Sequence, residues 1–238
     1  MPLNLDRALQ LLQHAGVAEP AGERSSSGWI QGLLDALVEL SSRDPLTGSA
    51  NRRSFEVALT REIDRVARSG EPALLLLLDI DLFKRVNDAH GHAAGDRAIK
   101  AVADALSDCV RPMDLVARIG GEEFAVVLPN CAPAFGEAVA ERVRRQVEQT
   151  EIEFAPGRTL SVTVSVGGAF APQWVRSRAH LWIERADQQL YRAKSAGRNC
   201  VCLEPTVSSL VSHEEKHLLF DSSMFGALAD NSASGQPT

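Results

Sequence analysis

The chain has 238 residues, of which 45% are hydrophobic and 24% are charged, and its formal net charge is −6. This composition is that of an ordinary globular protein, and the negative charge argues against a surface that coats nucleic acid. The longest apolar run, 73–78, is too short to span a bilayer, and the N-terminus lacks the layout of a secretory signal. We expect a cytoplasmic protein with reduced cysteines, since its four cysteines form no C-x-x-C pair.

Residues 1–43 are predicted to form a helical N-terminal stalk. An amphipathic helix over 3–15 is followed by a linker rich in Gly, Pro and Ser. A second helix over 28–43 repeats apolar residues at steps of three and four, the spacing of a coiled-coil seam. The seam residues are Ile30, Leu33, Leu37 and Leu40. This helix either pairs two chains through the seam or packs on its own domain.

Residues 44–204 are predicted to form an α/β (α+β) domain with a central mixed β-sheet covered by helices. Pro45 ends the stalk helix, and Asn51 is the predicted N-cap of the next helix. The apolar run from Ala73 predicts a buried central strand. The later predicted helices are 83–89, 94–110, 132–149 and 177–197, and the later strands are 115–119, 124–128, 159–170 and 199–204. In the tail, 205–238, a capping box predicts a short helix before a disordered end.

Four acids lie at ends of the predicted strands. Asp79 and Asp81 follow the buried strand and are expected on the same side of its carboxyl end, although Asp81 could simply cap the next helix. Asp79 directly follows five leucines and therefore needs a partner. Glu122 and Glu123 follow Gly120-Gly121, which predicts a tight hairpin turn with positive φ. These two acids are either a solvated hairpin tip or, beside Asp79, oxygen ligands for Mg²⁺.

Polar and basic side chains suggest a nucleotide site. Asn87 and Asp96 could hydrogen-bond a purine edge, or serve only their helix ends. Lys194 and Arg198 are four residues apart on a predicted helical face, and with Lys84 they could cradle a triphosphate, although cations are favoured at a helix C-terminus anyway. The two neighbouring histidines at 90 and 92 are discounted as metal ligands, because hard ions prefer oxygen.

Five motifs occur in order, DPLTGSANRR, DIDLFKRVNDAHGHAAGD, RIGGEEF, VTVSVGGA and ADQQLYRAKSAGRN. Together they resemble the GGDEF family of diguanylate cyclases over about residues 44–204, and Ser49 departs from the leucine that the family usually has. The resemblance implies a nucleotidyl-cyclase-like fold and a homodimer that condenses two GTP molecules into cyclic di-GMP, releasing two pyrophosphates.

The resemblance also implies residue roles. Asp79, the Ile80 carbonyl and Glu122 would bind Mg²⁺, two ions per site, with Mn²⁺ as an alternative. Arg118 would stabilise charge on the transferred phosphoryl group, and Glu123 would be a second acid that helps to deprotonate the attacking hydroxyl. The implied substrate-binding residues are Lys84, Asn87, Asp96, Gly120, Gly121, Lys194 and Arg198.

A second implied site is inhibitory. The RPMD segment is separated from Gly120 by five residues, the spacing of the family's product-binding motif. Cyclic di-GMP would bind Arg111 and Asp114, with Arg142 from a neighbouring surface, although an Arg and Asp here could be an ordinary surface pair.

Three functions compete: an active diguanylate cyclase, a catalytically silent GGDEF domain that acts as a cyclic di-GMP receptor or protein-interaction module, and a cyclase acting within one nucleotide. The metal and motif residues are all present, which favours the active enzyme. The stalk either pairs two chains or docks a regulatory protein, and neither a nucleic-acid partner nor a membrane span is expected.

Overall fold

The computed structural model describes residues 5–24 and 26–205. Its first two helices, α1 (Asp6–His14) and α2 (Ser27–Ser42), match the two predicted in the stalk. They pack on each other through a small core of Leu12, Trp29 and Leu33, each at most 2% exposed. The centre of the proposed seam on α2 therefore faces α1.

The rest of the described chain forms the predicted mixed sheet with helices on both faces. The helices are α3 (Arg52–Ser69), α4 (Phe83–His90), α5 (His92–Asp108), α6 (Pro133–Gln149) and α7 (Ala179–Ser195). The six strands of the sheet are β1 (Ala50–Asn51), β2 (Leu74–Ile80), β3 (Leu115–Arg118), β4 (Glu123–Leu128), β7 (Val164–Phe170) and β8 (Val201–Leu203). Their order is β1-β3-β4-β2-β7-β8, with β2 antiparallel to both neighbours.

Strand β2 is central because both of its faces are apolar. Leu74, Leu76 and Leu78 belong to one core, which includes residues of α5 and α6. Leu75 and Leu77 belong to the other core, which includes residues of α3 and α7. The continuous leucine run was therefore a correct signal of a strand buried on both sides.

The predicted strand over 159–170 is wrong in its extent. Its first part is the short strand β6 (Arg158–Leu160), which pairs with β5 (Ile152–Ala155) in a separate hairpin. Only β7 enters the main sheet. Strand β5 and the two-residue β1 were not predicted, since neither is long enough to show an alternating pattern.

Helix α3 begins and ends as its sequence indicates. The Asn51 side chain accepts a hydrogen bond from the Ser54 N–H at 3.0 Å, as predicted for an N-cap. The helix ends at Ser69, and its C-cap residue, Gly70, has a φ of 67°.

No helix in the described ranges is long and apolar enough to cross a membrane. The four cysteines, Cys109, Cys131, Cys200 and Cys202, are unbridged. Burial raises the pKa of the Cys131 thiol to about 11. The predicted tail helix and its capping box lie outside the described residues.

Candidate active site

Asp79 lies at the end of β2, where the sheet brings three strands together. It stands opposite Glu123 on β4 and Ser165 on β7. Its side chain is 15% exposed, and its Oδ2 is 2.7 Å from the Nζ of Lys194. The predicted need for a partner is thus met by a lysine, because a carboxylate so far from water requires a compensating charge.

The hairpin of β3 and β4 lies beside β2, as the site hypothesis required. The Ile80 N–H donates to the Glu122 carbonyl at 3.2 Å, one residue beyond the pairing of Asp79 with Glu123. Glu122 is half-buried and Glu123 is exposed. The backbone therefore brings Asp79, Ile80 and Glu122 to one corner of the sheet.

The predicted two-residue turn at Gly120-Gly121 is wrong, because neither glycine has a positive φ. The strands are joined by four residues, and the N–H groups of Ile119 and Gly120 both donate to the Glu123 carbonyl, at 2.9 and 3.3 Å. A Cβ on Gly120 would lie 2.2 Å from Glu123 Oε2, whereas one on Gly121 would meet nothing within 4 Å. Glycine at position 120 thus provides space for a carboxylate.

Arg118 supports this turn through hydrogen bonds to its backbone. Its Nε and Nη2 donate to the Gly121 carbonyl at 3.1 and 2.9 Å, and its Nη1 donates to Asp44 Oδ1 at 3.1 Å. Burial pushes the pKa of Asp44 upward, but hydrogen bonds from Thr47 and Arg118 outweigh it, and the pKa lies below its ordinary value. The role of Asp44 was missed; the Asp44-x-x-Thr47 spacing indicates only a local turn.

Asp81 is not the cap of α4 that the sequence allowed. The N-cap is Leu82, in the left-handed region with φ 55°, and it makes no side-chain cap. Asp81 is 8% exposed and accepts hydrogen bonds from Thr163 Oγ1 at 2.7 Å, Ser165 Oγ at 2.6 Å and the Asn199 N–H at 2.9 Å. Both of its carboxylate oxygens therefore accept hydrogen bonds from within the protein.

The turn between α4 and α5 brings Asn87 next to Gly95, the residue that precedes Asp96. Helix α5 begins at His92, two residues earlier than predicted, so Asp96 lies beyond its first turn and does not act as an N-terminal acid. A Cβ on the buried Gly95 would lie 2.0 Å from Asn87 Oδ1. The Asn87 amide thus rests against the backbone next to Asp96.

Lys194 and Arg198 do not share a helical face as predicted. Helix α7 ends at Ser195, and Gly197 has φ 118°. The Arg198 N–H donates to the Ala193 carbonyl at 3.1 Å, a Schellman-type closure of the helix. Arg198 therefore lies in the loop after α7. Lys84 is exposed on the first turn of α4.

The RPMD segment is a compact turn. The Arg111 N–H donates to Asp114 Oδ2 at 2.8 Å, and the Arg111 guanidinium lies 4.0 Å from the centre of the Phe135 ring. Burial raises the pKa of Asp114, although the Arg111 hydrogen bond and nearby positive charges oppose it. Arg142 Nη2 donates to the Cys109 carbonyl at 2.7 Å, at the end of α5.

A cavity of about 560 Å³ separates this segment from the end of α2. Arg111 and Asp114 line one side, and Ser42, Thr47 and Ser49 line another. Ser49, the departure from the family pattern, thus lines a cavity beside the candidate inhibitory site.

The donor set at the end of β2 fits a hard divalent cation. In the part of the chain that the structure describes, no cluster of three His, Cys, Asp or Glu side chains is arranged around a metal position. Two carboxylates and a carbonyl, from Asp79, Glu122 and Ile80, are nevertheless oxygen donors of the type that Mg²⁺ uses together with substrate phosphates. The ammonium of Lys194 against Asp79 shows that this corner accommodates positive charge.

Known proteins share this arrangement of sequence and fold. The family described as diguanylate cyclase, GGDEF domain, matches residues 41–200. The response regulator PleD of Caulobacter vibrioides is 41% identical over 175 residues, which are 73% of this chain and 38% of PleD. This chain therefore spans less than half the length of that relative.

Two solved structures resemble the described fold. The coiled coil and GGDEF domain of DgcB from Caulobacter crescentus, in complex with c-di-GMP, has a TM-score of 0.69 at 31% identity and covers 74% of this chain and 92% of its own. The diguanylate cyclase SiaD of Pseudomonas aeruginosa, in complex with its activator SiaC, has a TM-score of 0.68 at 36% identity and covers 83% of this chain and 74% of its own. Because the family match includes more than half of the residues, this chain belongs to the diguanylate cyclase GGDEF domain family.

Proposed function

We propose that this protein is an active diguanylate cyclase, which condenses two GTP molecules into cyclic di-GMP and releases two pyrophosphates. The observation that carries the proposal is the meeting of Asp79, Ile80 and Glu122 at the end of β2. A catalytically silent member of the family would not need this set of oxygen donors.

Residues at the end of β2 have two proposed roles, metal binding and acceptance of a proton. Asp79, the Ile80 carbonyl and Glu122 would hold Mg²⁺, with Mn²⁺ as an alternative. When bound, the ions supply Lewis-acid activation of the α-phosphate and of the attacking 3′-hydroxyl. Glu123 is exposed directly opposite Asp79, which suits a group that accepts the proton of that hydroxyl.

Basic residues around the corner bind the phosphates. Lys194 is already at the site through its contact with Asp79, and its ammonium would bind a phosphate oxygen of the nucleotide. Lys84 and Arg198 provide further positive charge from α4 and from the loop after α7. Arg118 stabilises the developing phosphoryl charge while it holds the turn.

Asn87 and Asp96 read the guanine base. Asp96 accepts from the guanine N1–H and amino group, and Asn87 bonds the remaining polar edge. The nucleotide would lie against the turn on the Gly121 side, since an added Cβ on Gly121 has no neighbour within 4 Å, whereas the space beside Gly120 holds the Glu123 carboxylate.

The reaction joins two GTP molecules, so two active sites must face each other in a homodimer. Helix α2 offers a contact for this dimer, because Leu34 and Val38 lie one turn apart and are 51% and 64% exposed. The complex of SiaD with its activator SiaC supports the alternative that a regulatory protein docks on this protein.

The decisive experiment is incubation of the purified chain with GTP and Mg²⁺, followed by chromatography of the products. We expect cyclic di-GMP and pyrophosphate. Glu122→Gln should abolish turnover without changing the melting temperature, whereas the exposed Glu184→Gln on α7 should be fully active. Cyclic GMP as product would support cyclisation within one nucleotide, and binding of cyclic di-GMP without turnover by a confirmed dimer would support a silent receptor.

We also propose feedback inhibition at Arg111, Asp114 and Arg142, where dimeric cyclic di-GMP binds and holds the subunits apart. The complex of DgcB with c-di-GMP supports product binding within this family. Arg111→Ala should relieve inhibition by added cyclic di-GMP, whereas Arg61→Ala, an exposed arginine on α3, should not. Unchanged inhibition in Arg111→Ala would contradict this assignment.

A further inference from the structure

Asn199 connects the loop after α7 to two other elements. Its main-chain N–H donates to Asp81 Oδ2 at 2.9 Å, at the end of β2. Its side chain bonds α6, because Oδ1 accepts from Arg144 Nη1 at 2.7 Å and Nδ2 donates to Glu148 Oε1 at 2.7 Å. All the polar groups of this side chain thus have α6 partners, and the backbone is tied to the sheet.

The backbone of this loop is in a conformation that needs such support. Arg198 has φ 67° and Asn199 has φ 45°, so two consecutive non-glycine residues occupy the left-handed region. An asparagine tolerates this region better than most residues, but an arginine gains nothing there by itself. The contacts of Asn199 therefore support the strained backbone next to Arg198.

Two of the three partners of Asn199, Asp81 and Arg144, are themselves held by further contacts. Asp81 is 8% exposed and also accepts from the hydroxyls of Thr163 and Ser165. The Arg144 side chain is 12% exposed and also bonds Glu141 at 2.8 Å. A loop held between a buried carboxylate and a mostly buried arginine side chain has little freedom to reorient.

We propose that Asp81, Asn199 and Arg144 are positioning residues that hold Arg198 in the conformation in which it binds the GTP phosphates. The inference rests on the proposed function in one respect, that Arg198 is a phosphate ligand. It gives the second aspartate of the DID sequence a role distinct from that of Asp79: Asp81 acts through the Asn199 main chain and does not hold the metal.

The test compares binding of two probes by calorimetry. Guanosine has no phosphate, and 3′-deoxy-GTP has the triphosphate but lacks the attacking hydroxyl. Asn199→Ala should weaken 3′-deoxy-GTP binding about tenfold, since one charge-assisted contact is misplaced, and should leave guanosine binding unchanged. Asn199→Gly should lose less affinity for 3′-deoxy-GTP than Asn199→Ala, because glycine adopts the left-handed conformation freely.

A double-mutant comparison separates positioning from general damage. In the Arg198→Ala background, Asn199→Ala should cause no further loss of 3′-deoxy-GTP affinity. Arg144→Ala should reproduce the Asn199→Ala pattern even if Asn199→Ala fails to fold. Arg145→Ala is the matched control, because Arg145 lies on the same helix and pairs with Glu141 but does not contact the loop.

The outcomes distinguish this inference from the proposed function. If Arg198→Ala weakens 3′-deoxy-GTP binding but Asn199→Ala and Arg144→Ala do not, the positioning role is wrong and the phosphate role stands. If Arg198→Ala has no effect, both are wrong. Equal losses for guanosine and 3′-deoxy-GTP would also overturn the inference, because they would indicate a general loss of structure.

Discussion

A methyl group at position 95 should displace Asn87 from the candidate guanine site. The Cβ of Gly95→Ala would lie 2.0 Å from Asn87 Oδ1 and 3.1 Å from Phe83 Cζ. Because Phe83 is buried in the core, the amide of Asn87 is the group that must move. The substitution therefore acts on substrate recognition through a contact inside the protein.

The expected energies come from two opposing effects. Overpacking of this kind costs about 1–3 kcal/mol, whereas alanine is favoured over glycine in a helix interior by about 1 kcal/mol. Gly95→Ala should thus destabilise the protein by roughly 0–2 kcal/mol. In an Asn87→Ala background only the looser Phe83 contact remains, and the same change should be neutral or stabilising. The two substitutions should therefore couple by about 1–3 kcal/mol.

Urea unfolding of the four proteins measures this coupling without any assumption about function. Steady-state kinetics then measures the consequence: both single variants should raise the KM for GTP by a similar factor, and the double variant should raise it no further. Unfolding energies that add within about 0.5 kcal/mol would refute the contact between Asn87 and Gly95. Coupled stabilities with an unchanged KM would instead refute guanine recognition by Asn87.

Three further predictions concern the stability of the folded protein. Asp44→Asn should cost about 1–3 kcal/mol of unfolding free energy at neutral pH, because Arg118 loses its carboxylate partner and keeps only the Gly121 carbonyl. Since the pKa of Asp44 lies below its ordinary value, this contribution is present at neutral pH and disappears as the pH falls through the folded pKa, so denaturant midpoints of variant and parent should converge in acid. Gly167→Ala should destabilise by more than about 3 kcal/mol in thermal and urea unfolding, because its Cβ would lie 2.0 Å from a main-chain nitrogen of α7, whereas Gly121→Ala should not. Trp29→Phe should change unfolding free energy by less than about 1 kcal/mol, because the buried indole N–H has no hydrogen-bond partner among the described residues.

The sequence predicted the site best where the signal was local. A run of leucines ending in Asp79 indicated both a buried strand and a carboxylate in need of a partner, and the structure shows both. The N-cap at Asn51 was also predicted correctly, because a cap depends on residues within one turn. What the leucine run could not show was the identity of the partner, Lys194, which is 115 residues away in the chain.

The errors have a common physical origin. Gly120 was assigned a positive φ because glycine usually serves tight turns, but it is required for space beside Glu123. Asp81 was a candidate N-cap because a helix follows it, but its hydrogen-bond partners are Thr163, Ser165 and Asn199. In both cases the local pattern did not show the side-chain contact that decides the role of the residue. For Gly120 this contact is with Glu123, three residues away, and for Asp81 it is with partners such as Thr163, far along the chain.

The same reasoning joins two motifs that the sequence presents as separate. Helix α2 ends at Ser42, whose carbonyl accepts from Ser54 Oγ at 2.8 Å. Two residues later, Asp44 bonds Arg118, and Arg118 bonds the Gly121 carbonyl in the turn that carries Glu122. The DPLTG and RIGGEEF segments are therefore one structural unit, in which the end of the stalk helix and the candidate metal ligand are separated by a short chain of hydrogen bonds. A displacement of α2 that moved Asp44 would therefore also disturb the contact of Arg118 with the active-site turn.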